Sequence, residues 1–184
     1  EDKRTRDLFP ALWISDLFME RVDNNEQWSF FDPDQCPGLD NCWGDKYKEL
    51  YQKYEREGKA KGVVMARDVW KKITKSQSET GLPYTGFKDH VNSKNNQQHY
   101  GTIKGSNLCI EINEYHDHKE YACCCLGSIC LPKMVIDDGK SGKRFDFDKL
   151  ADIAGQLVYN LNQVIDRNMY PVPETKVSNM KHRP

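Results

Sequence analysis

The sequence lacks any excess of charge, because 27 basic and 28 acidic side chains leave a formal net charge of -1 over 184 residues. A protein that reads nucleic acid usually carries a basic patch, so no nucleic-acid partner is expected. The sequence also lacks an apolar run long enough to cross a membrane. Its best candidate, residues 122–136, is short and contains Pro132 and Lys133, so no membrane partner is expected.

Further absences concern the cellular compartment. The sequence has no Asn-x-Ser/Thr glycosylation site and no visible signal peptide, and its seven cysteines are an odd number. These features favour a reduced, cytoplasmic location over an oxidising compartment. Hydrophobic residues make up 38% of the chain and charged residues 30%, which is typical of a soluble globular protein. Because no repeat or linker divides the chain, residues 1–184 are predicted to be a single segment without an internal domain boundary.

Hydrophobic periodicity predicts helices over residues 12–22, 47–54, 66–77 and 146–168. Gly58 and Gly81 are expected to end the second and third helices, and Asp146 or Asp148 to cap the fourth. The intervening residues 30–44 and 88–105 are predicted as irregular links, the latter rich in Asn and Gln. Helices that flank short buried strands indicate the α/β class.

The most informative stretch, residues 101–132, holds five of the seven cysteines. Within it, an amide, a thiol and a carboxylate alternate at Asn107, Cys109 and Glu111. If this stretch is extended, the three side chains project from one face. Such a polar face is costly to bury without a partner, so we expect it to meet a polar substrate. The opposite face would then be apolar and anchor the strand in a core through Leu108, Ile110 and Ile112.

Several longer motifs resemble one family. They are NQQ..GTIK.SNLC.EI, AC.CLGSI.LP and NLNQVID....YPVPE...SN..HRP, with RTRDLFPALWISDLFMERV and CPGLDNCWGDKYKELYQKYEREG before them. Together they resemble the large, catalytic subunit of class I ribonucleotide reductases, in the form found in eukaryotes and large DNA viruses. The resemblance covers essentially the whole chain and implies an internal segment of such a subunit. It further implies part of a ten-stranded α/β barrel, with Cys109 at the tip of a central finger loop.

The resemblance implies a chemistry for the SNLCIEI motif. Cys109 would form the thiyl radical that takes the 3'-hydrogen of a ribonucleoside diphosphate and later returns it. Glu111 would act as general base toward the 3'-hydroxyl, which calls for a pKa raised by an apolar surround. Asn107 would hydrogen-bond the sugar. Leu108, between them, is expected to contribute to substrate binding. The product would be a 2'-deoxyribonucleoside diphosphate for DNA synthesis.

The same family reduces its substrate with a pair of cysteines that becomes a disulfide in each turnover. Alignment of ACCCLGSI with the family pattern assigns the redox-active role to Cys124, whose partner would lie upstream of this chain. Cys123 then replaces an apolar residue and Cys125 an Asn, so a neighbouring thiol competes for the assignment. The other cysteines match no family motif and are interpreted as structural: Cys36, Cys42 and Cys130.

The resemblance also implies partners. The segment itself would bind no cofactor, because a metal-containing small subunit supplies the radical. ATP and deoxynucleotide effectors would bind elsewhere in the full protein. A thioredoxin- or glutaredoxin-type dithiol would reduce the disulfide, and the full large subunit is expected to form a homodimer.

Two alternative interpretations compete with this one, and the first is disfavoured by the spacing of its residues. His116 and His118 precede the cysteine triplet, and imidazole with thiolate suits zinc. However, three adjacent cysteines cannot readily converge on one ion, and no Cys-x-x-Cys pair is present, so no metal is expected and the two histidines are interpreted as solvated residues of a turn. A second alternative is a non-catalytic association module from a split gene.

The spacing of Tyr47, Tyr51 and Tyr54 is interpreted as the packed face of a helix rather than as a radical relay.

Overall fold

The computed structural model describes residues 7–137, 139 and 142–184. They form two compact units, which divide between Tyr115 and His116. Helices and strands mix in both, as the α/β prediction requires. Within the described residues the strands pair into three two-stranded sheets, and these sheets do not close a barrel.

The first unit alternates short strands with helices. Strand β1 pairs in parallel with β4, and β2 pairs antiparallel with β3. The elements are β1 (Ala11–Ile14), α1 (Asp16–Asn24), β2 (Gln27–Phe30), α2 (Gly44–Arg56), β3 (Gly62–Met65), α3 (Ala66–Thr80), β4 (Tyr84–Phe87) and α4 (Lys88–Lys94).

Helix α1 starts later than the periodicity predicts. The prediction of helix from residue 12 is wrong, because residues 12–14 belong to β1 and pair with β4. Ser15 then caps the helix, its side-chain oxygen accepting a hydrogen bond from the Phe18 amide at 3.3 Å. The apolar stripe is nevertheless correct, since Ile14, Phe18 and Val22 are buried against Ala66 in one core cluster.

Helix α2 packs through tyrosines, two of which bond to the backbone through their hydroxyl groups. The Tyr51 hydroxyl donates to the Ser29 carbonyl at 2.7 Å and accepts from the Ser29 amide at 2.8 Å. The Tyr54 hydroxyl donates to the Pro37 carbonyl at 2.7 Å. Both rings are buried, as the interpretation of a packed helix face predicts. Burial also raises the pKa of Tyr47, on the same face, to about 12.

Helix α4 lies inside residues 88–105, so the prediction of an irregular link there is wrong for its first part. The buried carboxylate of Asp89, in the first turn of α4, bonds to the backbone of two other helices. It accepts from the Gly44 amide at 2.7 Å and from the Asp16 amide at 2.5 Å. These amides lie in the first turns of α2 and α1, where backbone N–H groups lack intrahelical partners. Asp89 therefore ties α4 to two other helices.

The described residues of the second unit form two strands and two α-helices. Helix α5 begins after Asp146, whose side chain accepts from the Lys149 amide at 3.1 Å, so the predicted cap is confirmed. The predicted apolar stripe is only partly covered: Ile165 is buried, whereas Val158 is 57% exposed. Within residues 7–137, 139 and 142–184, no helix has the length and apolarity needed to span a bilayer. The elements are β5 (Val135–Asp137), β6 (Lys143–Phe145), α5 (Phe147–Arg167) and α6 (Pro173–His182), after a 3-10 turn at Leu131–Met134.

Candidate active site

Cys109 lies at a tight turn rather than in a strand. The Ile110 amide donates to the Asn107 carbonyl at 3.1 Å, which closes the turn around Cys109. The side-chain oxygen of Asn107 accepts from the Ile112 amide at 3.2 Å, and the Ser106 hydroxyl donates to the Ile112 carbonyl. Asn107 therefore shapes the turn that presents Cys109.

The backbone at this turn is strained. Ile110 has φ of 63°, in the left-handed region that β-branched residues rarely adopt. Such a conformation costs about 1–3 kcal/mol and is concentrated at functional sites. The strain supports a functional role for the turn.

The prediction of alternating faces is wrong here. Asn107, Cys109 and Glu111 are all exposed, but so is Leu108, at 66%. The physical reason is the turn. It reverses the chain, so the side chains no longer alternate between two faces as they would in a strand. Ile110 and Ile112 are half-buried and are the apolar contacts that remain. The three polar residues thus share one exposed turn, whereas the predicted apolar rear face does not form.

Glu114 is a carboxylate of the same segment that sequence reasoning missed. It is half-buried, and burial raises the pKa of its carboxyl group above the ordinary value. Glu111, in contrast, is exposed. A raised pKa suits a general base, so Glu114 is the natural comparison for Glu111. The motif does not distinguish Glu114 from other carboxylates, because its burial depends on how the chain folds back after the turn.

The cysteine triplet lies in the second unit, in a segment without helix or strand. Cys123 is exposed, while Cys124 and Cys125 are half-buried. The Cys125 amide donates to the Pro184 carbonyl at 3.4 Å, and the Asn179 amide group lies 3.7 Å from the Cys125 sulfur. The side chains of this segment are therefore placed by contacts with α6 and the residues after it.

The other cysteines differ in their surroundings. Cys36 is buried, and the Cys42 thiol donates to the Gly38 carbonyl at 3.2 Å. Burial raises the pKa of Cys42, which disfavours the reactive thiolate and fits a structural role. Cys130 is exposed, so packing does not explain it. Among the residues that the structure describes, no group of three or more His, Cys, Asp or Glu side chains is arranged to hold a metal ion.

His116 and His118 are exposed at a polar turn, as their interpretation as solvated residues predicts. The Asp117 side chain accepts from the Lys119 amide at 2.7 Å and from the Glu120 amide at 3.0 Å. This turn leads directly into the buried Glu120 and the cysteine triplet.

Glu120 forms a buried ion cluster that the sequence did not reveal. Both carboxylate oxygens accept from the Lys181 ammonium group at 3.0 Å, and the His182 Nε2 lies at 3.3 Å. The side chains of Glu120 and His182 are 8% and 7% exposed. The next residue is tied to the same helix, because the Tyr121 amide donates to the Glu174 carbonyl at 3.2 Å. This cluster holds the segment just before Cys124 against α6.

The whole chain, residues 1–184, matches the family model of the ribonucleotide reductase barrel domain. The chain therefore belongs to the ribonucleotide reductase family, as its motifs predict. The match also confirms that the segment comes from a barrel domain.

Individual relatives narrow the family to one kind of subunit. The chain is 54% identical over 184 residues to the ribonucleoside-diphosphate reductase large subunit of Vaccinia virus (strain Copenhagen), covering 100% of the chain and 23% of the relative. It is 52% identical to the large subunit of Arabidopsis thaliana over 100% of the chain and 24% of the relative. It is 53% identical to large chain 2 of Saccharomyces cerevisiae over 100% of the chain and 21% of the relative. The chain thus spans about a quarter of the length of these curated relatives.

The Glu120 cluster gives a prediction about stability. In a full-length large subunit that contains this segment, Glu120→Gln should lower the free energy of unfolding by about 1–3 kcal/mol, because the Lys181 ammonium group loses a buried carboxylate and the contact with the His182 ring is weakened. Asp166→Asn is the control, since it breaks the half-exposed Arg183–Asp166 pair of 2.7 Å. That change should cost much less than Glu120→Gln, because ion pairs exposed to water contribute little to stability. Denaturant unfolding measures both, and equal losses would contradict a special role for Glu120.

Proposed function

We propose that this chain carries the reaction centre of a ribonucleoside-diphosphate reductase large subunit. The observation that carries the proposal is the exposed, strained turn that presents Asn107, Cys109 and Glu111 within a segment matching the reductase barrel domain along its whole length. In the complete protein we expect a ten-stranded barrel, with this turn as the tip of a central finger loop.

The proposed reaction gives each residue one task. Cys109, as a thiyl radical, takes the 3'-hydrogen of the ribose and forms an S–H bond. Glu111 accepts the 3'-hydroxyl proton, and the 2'-hydroxyl group takes a proton from the redox dithiol and leaves as water. Asn107 orients the sugar. Leu108, exposed beside them, contacts the substrate.

The net change is a two-electron reduction. Ribonucleotide and dithiol yield 2'-deoxyribonucleotide, disulfide and water, and Cys109 returns the hydrogen to the 3'-carbon at the end, which regenerates its thiyl radical. Cys124 supplies one sulfur of the dithiol, and the second comes from a cysteine outside this chain. An external dithiol protein of the thioredoxin or glutaredoxin type then reduces the disulfide by exchange.

The same proposal names partners and location. The substrate is a ribonucleoside diphosphate, and a smaller metal-containing subunit generates the radical. This segment binds no cofactor of its own, and ATP or deoxynucleotide effectors bind other parts of the subunit. The complete large subunit is proposed to be a homodimer that works in the cytoplasm.

A full-length chimera tests the assigned roles. In this chimera the present chain replaces the 184-residue segment of the vaccinia virus relative that it matches. Glu111→Gln keeps the shape of the side chain but removes the base, so kcat should fall by about 10²- to 10⁴-fold with a small change in KM. Asn107→Ala should lower kcat and raise KM. It removes the group that orients the sugar, and it also removes the acceptor for the Ile112 amide.

Glu114→Gln is the matched control for the base. Glu114 is the other carboxylate of the segment, and its pKa is raised by burial. If Glu114→Gln slows the chemical step and Glu111→Gln does not, the general base is Glu114. Equal and mild losses from Glu111→Gln and Asn107→Ala would indicate a structural pair.

A further inference from the structure

The segment that presents Cys109 has no regular structure of its own. Residues 101–115 contain neither helix nor strand, yet Ile103 near their start is only 1% exposed. A loop without backbone pairing must be placed by side chains from elsewhere. The side chains of Thr102 and Lys104 contact the Asn41 carbonyl at 3.1 Å and the Asp40 carboxylate at 2.9 Å. The contacts at the two ends of the loop come from the run of Asn and Gln residues just before it.

The first contact comes from Asn92, a residue of α4 whose exposed fraction is 1%. Its side-chain oxygen accepts from the Ile103 amide at 2.7 Å, and its Nδ2 donates to the Ile103 carbonyl at 3.0 Å. The same Nδ2 donates to the Lys88 carbonyl at 2.9 Å, within α4. An amide side chain both donates and accepts, so Asn92 pairs with Ile103 as a neighbouring strand would. This contact fixes the beginning of the loop.

The second contact comes from Gln97 and fixes the end of the loop. Its side-chain oxygen accepts from the Tyr115 amide at 2.8 Å. The Tyr115 ring stacks on Tyr100, with ring centroids 6.1 Å apart and an angle of 28° between planes. A Cβ atom at Gly101 would lie 2.6 Å from the Tyr115 ring, so only glycine permits this approach. The two ends of the loop are therefore held close together.

From these contacts we infer that Asn92 and Gln97 are positioning residues for Cys109. Their side-chain amides pin the two ends of the loop, Ile103 and Tyr115, and so determine where the turn at Asn107–Ile110 presents its thiol. The inference rests on the proposed function for its effect on turnover, although the placement of the loop does not depend on it. Misplacement of a reacting group by about 1 Å can cost on the order of 10²-fold in rate.

Gln97→Met tests the inference in the full-length chimera, because it removes the acceptor for Tyr115 while keeping a side chain of similar length. Gln98→Met is the matched control, since the Gln98 side chain donates to the Asn92 and Ser93 carbonyls at 3.1 and 3.0 Å and, among the described residues, makes no hydrogen bond to the loop. Gln97→Glu is the conservative variant, because a carboxylate still accepts from the Tyr115 amide. Asn92→Ala is a less suitable test by itself, because it truncates a fully buried side chain and the variant can fail to fold.

We expect Gln97→Met to lower kcat by at least about tenfold, and Gln97→Glu and Gln98→Met to stay within about twofold of the parent. The melting temperatures of Gln97→Met and Gln98→Met should be similar, because each loses hydrogen bonds at one half-exposed or exposed amide. If Gln97 had a purely structural role, Gln97→Met would lower the melting temperature, and its kcat would not differ from that of Gln98→Met.

Amide hydrogen exchange of residues 104–112 provides a readout that needs no turnover. Gln97→Met should speed exchange there and Gln98→Met should not. If the parent chimera makes no deoxynucleotide, the proposed function fails while the exchange still decides the placement of the loop. Unchanged exchange in Gln97→Met, with kcat equal to that of Gln98→Met in an active chimera, would overturn the inference.

Discussion

Cys109→Ser is expected to abolish deoxyribonucleotide formation in the full-length chimera. A serine O–H bond is much stronger than a sugar C–H bond, so the variant has no side-chain radical of matching energy to exchange hydrogen with the 3'-carbon. The two side chains are similar in size, and Cys109 is exposed at its turn. Folding and nucleotide affinity should therefore change little, which confines the loss to the chemical step.

Cys130→Ser is the matched control for this variant. Cys130 is also exposed, but it occupies no position of the family motif. Deoxynucleotide formation should be close to that of the parent in Cys130→Ser and undetectable in Cys109→Ser. Turnover of Cys109→Ser within about tenfold of the parent would contradict the radical assignment, because tenfold corresponds to only ~1.4 kcal/mol of barrier.

Cys124→Ser should block repeated turnover with a dithiol reductant and leave substrate binding nearly intact. The redox pair must donate two electrons in each cycle and then exchange with an external thiol, and serine can do neither. Rapid-quench assays of product per enzyme, together with nucleotide binding, separate these two effects. Loss of binding in parallel with turnover would indicate damage to the fold instead.

Cys123→Ala and Cys125→Ala are the neighbouring comparisons and should both be much milder. Removing the Cys125 sulfur deprives the buried Asn179 amide of a contact at 3.7 Å. Asn179 Oδ1 already has no hydrogen-bond partner among the described contacts, so some stability should be lost in Cys125→Ala. Turnover should nevertheless continue. If Cys125 is the essential thiol, the alignment of the triplet is wrong by one position.

The sequence predicts well those elements that are set by local periodicity. Helices α3 and α5 lie where the apolar spacing and the capping residues Gly81 and Asp146 place them. Helix α1 begins later than predicted because residues 12–14 pair with β4, about 70 positions along the chain. Helix α4 was missed because its polar residues satisfy tertiary contacts, such as those of Asp89, and show no apolar stripe.

The candidate site residues were proposed from motifs, and those motifs did not predict their geometry. Alternation around Cys109 predicts a strand, but the side chain of Asn107 and the left-handed Ile110 make a turn. Neither feature leaves a periodic signal. The residues that place the site were missed for a related reason. Glu120 meets Lys181 across 61 positions, a separation that no local pattern reveals.

The central claim is that this chain forms the working reaction centre of a reductase. Its most direct test is deoxynucleotide formation by the full-length chimera, supplied with the vaccinia small subunit, a ribonucleoside diphosphate and excess dithiol. We predict many deoxynucleotides per chimera, formed only while both reductant and small subunit are present. A chimera that folds and binds the nucleotide, yet makes no deoxynucleotide under conditions in which the parent vaccinia subunit does, would contradict the claim.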